Sequence, residues 1–490
     1  MKSVLLLVCL ILAGFAAFFF IQNRTRQLPN ASPPPPLAAT AKKTSNLLIK
    51  PSFRISETST LHGDRSAASA EAAYNPDDNE FLVVWESDGL TEVTGVNDIY
   101  GQRLNGATNE RIGTPFRISN LTDSDKNHRS NDPRVVYNVT AHEYLVVWNG
   151  SGLFDSPDVF FEVYGQRLSR TGKELGRNFR ISHTTDLGKI NTSFVRSSGQ
   201  ARVVWNSGNN EYFVVWKGMG EPQDVVKMEI YGQRLKANGE LLGKSFRISH
   251  TTDQGVNFHA NAPALAYNSR DNQYLVVWSG GFNNESQIEV WGMGLSAGGE
   301  ALGQKNDFRI SQLSTNIGPN ARAGFPQVVY NSIDNEYLVV FQANVSGPDN
   351  NANVYEVFGQ RIDGKTFAEN GANDFRISSI GETRRRASRP GVIFNSVAKE
   401  YLVIWRESLQ NGPAEVSGQR MTSGAAVIEA AFQISSITSI GKDRSVNNCS
   451  LTQNTRSGDY LVVWQGNGLP EVNSAKITEI FGQRLELSEK

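Results

Sequence analysis

The sequence predicts an all-β fold made of one repeated four-stranded unit closed into a ring. Three observations predict it. Four short motifs each recur in seven copies, no amphipathic helical stretch of useful length separates them, and one motif is displaced from the end of the chain to its beginning.

The motifs can be taken in chain order. Phe-Arg-Ile-Ser starts at Phe53, Phe116, Phe179, Phe246, Phe308 and Phe375, with Phe-Gln-Ile-Ser at Phe432. An apolar stretch ends in aromatic-Asn at Asn75, Asn138, Asn206, Asn268, Asn331 and Asn395, and is degraded at Leu451-Thr452-Gln453-Asn454. Tyr-Leu-Val-Val-Trp, or a close variant, ends at Trp85, Trp148, Trp216, Trp278, Phe341, Trp405 and Trp464. Gly-Gln-Arg starts at Gly101, Gly165, Gly232, Gly359, Gly418 and Gly482, with Gly292-Met293-Gly294 in the remaining copy. A period of roughly 60 residues is the mark of a repeat architecture.

Each motif reads as a strand: short, β-branched or aromatic, and bounded by Gly, Asn, Asp or Ser. Turns such as Ser332-Ile333-Asp334-Asn335 join the aromatic-Asn strand to the Val-Val-Trp strand as a hairpin. The first Phe-Arg-Ile-Ser precedes any inner strand, and the last unit, ending at Phe481-Gly482-Gln483-Arg484, has none. A ring uses such an offset to hide its edges, whereas an open solenoid needs polar caps. The expected fold is therefore a seven-bladed β-propeller of four-stranded blades. Its strand order runs from aromatic-Asn innermost through Val-Val-Trp and Gly-Gln-Arg to Phe-Arg-Ile-Ser outermost. Residues 52–56 complete the last blade.

Bulk properties narrow the function. Lys+Arg 48 against Asp+Glu 49 leaves no basic field for a nucleic-acid partner. Of two cysteines, Cys9 lies in the N-terminal apolar segment, so no disulfide staples the ring and no Cys-based zinc site exists. An apolar run of about 18 residues, 4–21, is long enough to span a bilayer, with Lys2, Arg24 and Arg26 as flanks. The expectation is an uncleaved signal-anchor, with a cleaved signal peptide as the alternative. Residues 22–48, with Pro33-Pro34-Pro35-Pro36, read as an extended stalk, and 49–490 as the propeller. That places a monomeric ring outside the cytoplasm, extracellular or periplasmic, anchored or secreted.

The combination of Phe-x-Ile-Ser, Glu-Tyr-Leu-Val-Val-Trp and Tyr/Phe-Gly-Gln-Arg-Leu resembles repeats of secreted bacterial propeller proteins, over about residues 52–485. The resemblance implies the same closed ring and carries no catalytic residues.

Motifs for phosphate, zinc-hydrolase, EF-hand, Gly-x-Ser-x-Gly and sialidase-box chemistry are absent from the sequence, and no cofactor or metal is expected. One constellation stands out. A basic side chain precedes each inner strand: Arg65, Arg129, Arg196, His259, Arg322, Arg386 and Arg444. Seven-fold repetition would ring the channel mouth with cations suited to carboxylate, sulfate or phosphate, hence to an anionic glycan or a protein ligand. The competing reading pairs each with a nearby acid, such as Asp64, Asp132 or Asp443, as ties between blades; repetition favours it. The Gly-rich loops after Trp148, Trp216 and Trp464, and His183-Thr184-Thr185-Asp186 with His250-Thr251-Thr252-Asp253, read as turn chemistry. Outer-strand arginines are expected to pair with Glu162, Glu229, Glu356, Glu415 and Glu479. The expected function is non-enzymatic binding or scaffolding of a glycan or protein through the loop face. The alternative, a polysaccharide-active hydrolase or lyase, needs carboxylates converging in the channel, and the inner strands read as apolar with few acids.

Overall fold

The computed structural model describes residues 46–58, 66–88, 97–120, 129–151, 161–187, 197–219, 227–254, 259–282, 284–303, 307–316, 321–345, 354–380, 385–409, 412–437, 445–467 and 477–488. The N-terminal apolar run, residues 22–45 of the expected stalk, and Arg65, Arg196 and Arg444 lie outside them.

The chain is an all-β propeller of four-stranded blades in which the N-terminal strand joins the C-terminal blade. The strand order is the expected one. Ala67–Asn75, Glu80–Ser87, Asp98–Asn105 and Arg111–Arg117 form the first antiparallel set, and later sets repeat it. The aromatic-Asn strands are innermost. Each packs beside the next, and the last, Val446–Gln453, packs against Ala67–Asn75.

Period-two alternation in the Val-Val-Trp strand explains how the sheets hold together. Phe81, Val83 and Trp85 pack on one side, with Leu461, Val463 and Ile480. Leu82 and Val84 pack on the other, with Val135, Tyr144 and Val146. Both faces of the strand are thus fully buried, which is why its apolar run is continuous. Each such side chain contributes roughly 1.5–3 kcal/mol on leaving water. The Trp at the end of the strand packs on the aromatic of the next strand, as in Trp85–Tyr100 at 6.5 Å and Trp464–Phe481 at 6.3 Å. Each of these pairs lies within one sheet, and Trp85 also belongs to the cluster shared with the last sheet, so the rings are core packing and not ligand platforms.

The other motifs are equally structural. Glycine is required in Gly-Gln-Arg because the Phe of Phe-Arg-Ile-Ser lies over it; a Cβ at Gly359 would come within 2.7 Å of Phe375. The Ser hydroxyl donates to the carboxylate that opens the third strand and accepts from the next backbone N–H: Ser119 to Asp98 at 2.6 Å, Ile99 N to Ser119 at 2.9 Å. Outer-strand arginines join these carboxylates as expected in Arg247–Glu229 at 2.9 Å and Arg376–Glu356, but Glu162 bonds Ser182 and Thr185, and Arg180 turns to Asp186. Glu415 meets Ser435 instead, since Gln433 stands at the Arg position. The Gly-Gln-Arg arginines choose different partners from those expected. They pair with the acid that opens the Val-Val-Trp strand, as in Arg103–Glu80 and Arg420–Glu400, both at 2.7 Å.

The seam repeats all of this chemistry. Phe53 and Ile55 lie over Gly482, Arg54 pairs with Glu479 at 2.5 Å, and Ser56 accepts from Ile480 N at 2.8 Å. The closing strand is longer than its motif. Asn46–Ile49 also pairs with the last strand, Ile49 opposite Leu485 and Asn46 opposite Ser488, and Leu47 packs into the core. The propeller therefore takes in Asn46, Leu47 and Leu48 of the segment 22–48 read as stalk, because Leu47, Leu48 and Ile49 supply a short β-forming run.

The inner-strand Asn138, Asn206, Asn268, Asn331, Asn395 and Asn454 each reach into the neighbouring unit, whereas Asn75 donates to Asp78 in its own turn. Asn268 Nδ2 donates to Asn335 Oδ1 at 3.1 Å and to Gly364 O at 3.0 Å. Asn454 Nδ2 makes the same pair across the seam, to Asn79 at 2.9 Å and Gly106 at 3.0 Å. Asn268→Ala and Asn454→Ala should therefore each cost about 1–3 kcal/mol in urea unfolding, through the lost bond to the next unit and the turn amides of Arg270 and Asp271, or of Arg456 and Ser457, left without their acceptor. A silent Asn454→Ala beside a costly Asn268→Ala would mean that the seam is not a true joint.

Candidate functional site

Every inner strand carries a bulge near its start, with register shifts at Ala68/Glu71, Asn131/Arg134, Gly199/Arg202, Asn261/Ala264, Gly324/Gln327, Ser388/Gly391 and Val446/Cys449. In six of them the bulged residue is left-handed: Ser69, Asp132, Gln200, Ala262, Phe325 and Arg389 have φ between 50° and 55°. A bulge re-aims side chains and terminates regular pairing. Here it turns one variable residue per strand towards the channel mouth. Two residues on, Glu71, Arg134, Arg202, Gln327 and Ser450 line the channel below.

The residue after the Val-Val-Trp aromatic secures the bulge of the next sheet. Glu86 Oε2 accepts from Asp132 N at 2.7 Å, Ser279 Oγ from Phe325 N at 3.2 Å, and Gln342 Oε1 from Arg389 N at 2.8 Å.

These positions assemble a charged cluster in a cavity of about 470 Å³. Arg134 contacts Asp132 at 2.8 Å and Glu71 at 3.8 Å, Arg202 lies 3.7 Å from Asp132, and Ser450 donates to Glu71 at 2.8 Å. Three carboxylates, Glu71, Glu86 and Asp132, thus converge on one cavity. Two of them, Glu71 and Asp132, come from the inner strands, which supply few acids as expected, and Glu86 comes from the Val-Val-Trp strand. Periodicity read these strands as apolar because their C-terminal halves are, whereas the acids sit at and beside the bulge. A signal was present: Pro133, Pro263, Pro326 and Pro390 follow the bulged residue, and proline inside a strand marks a bulge.

The carboxyls are driven in opposite directions. Burial raises Glu86 above the usual range, and the charge of Asp132 adds to it against the Asp132 N–H and Arg134. Burial also acts to raise Asp132, but Arg134 and Arg202 outweigh it and hold that carboxyl low. Arg202 is pushed down to about 10 by burial and by the like charge of Arg134, and stays cationic at neutral pH.

The described ring candidates fall at the rim. Arg129 and Arg322 are held by their backbones: Arg129 N donates to Ser151 Oγ at 2.9 Å, and Arg322 N to Asn344 Oδ1 at 2.5 Å. His259 Nδ1 accepts from Met228 N at 3.1 Å, and Arg386 lies over the Tyr355 ring, 5.7 Å from its centroid. His259 and Arg322 line one cavity and Arg129 another. Asp132, considered as a partner for Arg129, pairs with Arg134 and Arg202 instead; Asp64 and Asp443 lie outside the described residues. The two His-Thr-Thr-Asp segments act as turns, with Thr185 N donating to Glu162 at 2.6 Å and Trp278 Nε1 to Thr251 Oγ1 at 3.0 Å. Among the described residues no group of three or more His, Cys, Asp or Glu is placed to hold a metal.

No protein-family model matches the sequence, and neither does any curated protein. Among solved structures, the chain is similar to a Penicillium chrysogenum alpha-L-arabinanase complexed with arabinobiose. The identity is 10% and the TM-score 0.48, over 78% of this chain and 100% of that one. It is similar to a PL25 ulvan lyase at 10% identity and TM-score 0.48, over 85% and 93% of the two chains. The NanB sialidase of Streptococcus pneumoniae is 10% identical with a TM-score of 0.42, over 90% and 70%. These likenesses are of fold, and a fold hosts many functions.

Glu86 binds a proton more readily in the folded chain than in the unfolded one. Its contribution to stability therefore falls as pH rises from the unfolded carboxyl range through its raised value. Glu86→Gln keeps an acceptor for Asp132 N and removes the buried charge. It should raise the unfolding temperature at pH 7, with the gain shrinking below about pH 4.5, as read by thermal unfolding across pH.

Proposed function

We propose that this chain is a glycan-cleaving propeller whose site is the mouth of the central channel. The observation that carries the reading is the Glu86–Asp132 pair: two carboxyls in one cavity, one favoured in its acid form and the other held ionised. Groups whose environments push them apart in this way suit acid and base roles. In the proposed reaction Glu86 gives its proton to the departing glycosidic oxygen, and Asp132 takes one from the attacking water. One C–O bond breaks, one forms, and a single water is consumed. Arg134 and Arg202 keep Asp132 ionised.

A second reading is a binding module without catalysis. It is favoured by Asp132 meeting an arginine with each of its oxygens, which leaves it a weaker base. The proposal includes seven blades, supported by the seven copies of each motif and by the succession of inner strands. It also includes a location outside the cytoplasm, supported by the apolar run 4–21 and the Pro-rich segment after it.

Incubation with a panel of neutral and acidic polysaccharides, read by release of reducing ends, tests the proposal. One substrate should be cleaved, with turnover falling about 100-fold or more in folded Glu86→Gln and Asp132→Asn. Binding by the wild-type chain with no release of ends from any polymer would leave the second reading.

A further inference from the structure

Phe325 is the anomaly among the bulged residues. Its counterparts are Ser, Asp, Gln, Ala and Arg, yet here a large aromatic holds φ 51° and remains 45% exposed. A bulky residue in the left-handed region is strained, and such strain tends to be kept where a side chain must point somewhere in particular. Ser279 Oγ holds its N–H, and the Arg389 guanidinium lies over its ring, 5.8 Å from the centroid. Arg389 is itself steadied by Asn448.

Phe325 also stands on a boundary. It lines the channel cavity that contains Glu86 and Asp132, and it lines the neighbouring rim cavity of about 630 Å³. That rim cavity holds His259, Arg322 and Tyr355, and Arg386 lies over the Tyr355 ring. Phe325 shares that boundary with Gln200 and Ala262, so a chain running from the channel mouth into the rim cavity passes the one large apolar face there, the Phe325 ring, with cationic groups on both sides of it.

From this we infer a recognition subsite for an acidic sugar, in which Phe325 takes the apolar face of the ring and Arg389 its carboxylate or sulfate. An exposed aromatic face gives the C–H face of a pyranose a place to stack. The planar guanidinium fork matches an oxyanion in two-point contact. Repetition argues against the seven-fold ring of basic residues as a ligand site, but this pair occurs at one joint only among the described residues. The inference rests on the glycan reading above and supplies its substrate class: a polysaccharide bearing anionic residues, one of which sits beside the cleavage point.

The test uses the full chain carrying Glu86→Gln, so that polymers stay intact, in affinity electrophoresis through polygalacturonate, dextran sulfate and neutral dextran. Retardation is expected in an acidic polymer and not in dextran, and the stronger of the two acidic gels identifies the anion. Adding Phe325→Gly or Arg389→Gln should weaken retardation at least tenfold, while Phe325→Trp retains it. Glycine accepts φ 51°, so Phe325→Gly should not lower the unfolding temperature, which separates lost binding from lost fold. Equal retardation in dextran, or undiminished binding in Phe325→Gly, overturns the inference. Cleavage of a glycan by the wild-type chain without Phe325-dependent binding would sink this inference and leave the cleavage reading standing. Phe325-dependent binding of an acidic polymer with no cleavage would do the reverse.

Discussion

Everything in this molecule depends on one joint, repeated between neighbouring sheets and again where the two ends of the chain meet. It has three parts: alternate side chains of the Val-Val-Trp strand buried on opposite sides, an inner-strand Asn donating into the next turn, and a buried tyrosine. Tyr460 Oη donates to Glu400 at 2.9 Å, and that same Glu is gripped by Arg420. Glu143, Glu336 and Glu400 thus each answer to their own sheet and to the next. A ring cannot tolerate one weaker joint, because an open seam exposes strand edges and apolar faces together. Ile55, Ala67 and Leu461 meet in one cluster at the closing joint, so the seam has a core of its own.

This division of labour explains what the sequence reveals and what it hides. Residues that recur in every copy belong to the joint, and recurrence made them visible: the Gly under the Phe, the Ser on the carboxylate, the Trp between sheets. The chemistry sits where the copies differ. Asp132, Gln200, Phe325 and Arg389 occupy one structural position, and Glu71, Arg134, Arg202 and Ser450 another. A search for repetition passes over both sets. It led instead to the basic residues before the inner strands, whose described members Arg129 and Arg322 are held at the rim by backbone bonds.

The bulge is the second reason the site was illegible. Across a bulge the period-two rule breaks, so a residue's facing cannot be counted from the apolar end of its strand. Glu86 was hidden in another way. It follows Trp85 in the most apolar motif of the chain, where a single acid looks like the end of a strand. In the fold it secures the Asp132 bulge from the neighbouring sheet and is half-buried. A regular scaffold with a variable residue at each bulge allows joints to stay alike while the mouth of the channel diversifies.

The central claim is that the ring is closed by residues 46–56, and thermal unfolding of two shortened chains tests it most directly. A chain starting at residue 44 keeps Asn46–Ile49, Phe53 and Ser56, whereas one starting at residue 58 removes the whole outer strand of the last sheet. The first should unfold at the temperature of the full chain. The second should unfold about 5 °C or more lower, or aggregate through its bared edge. Equal unfolding temperatures for the two would contradict closure by the N-terminal strand.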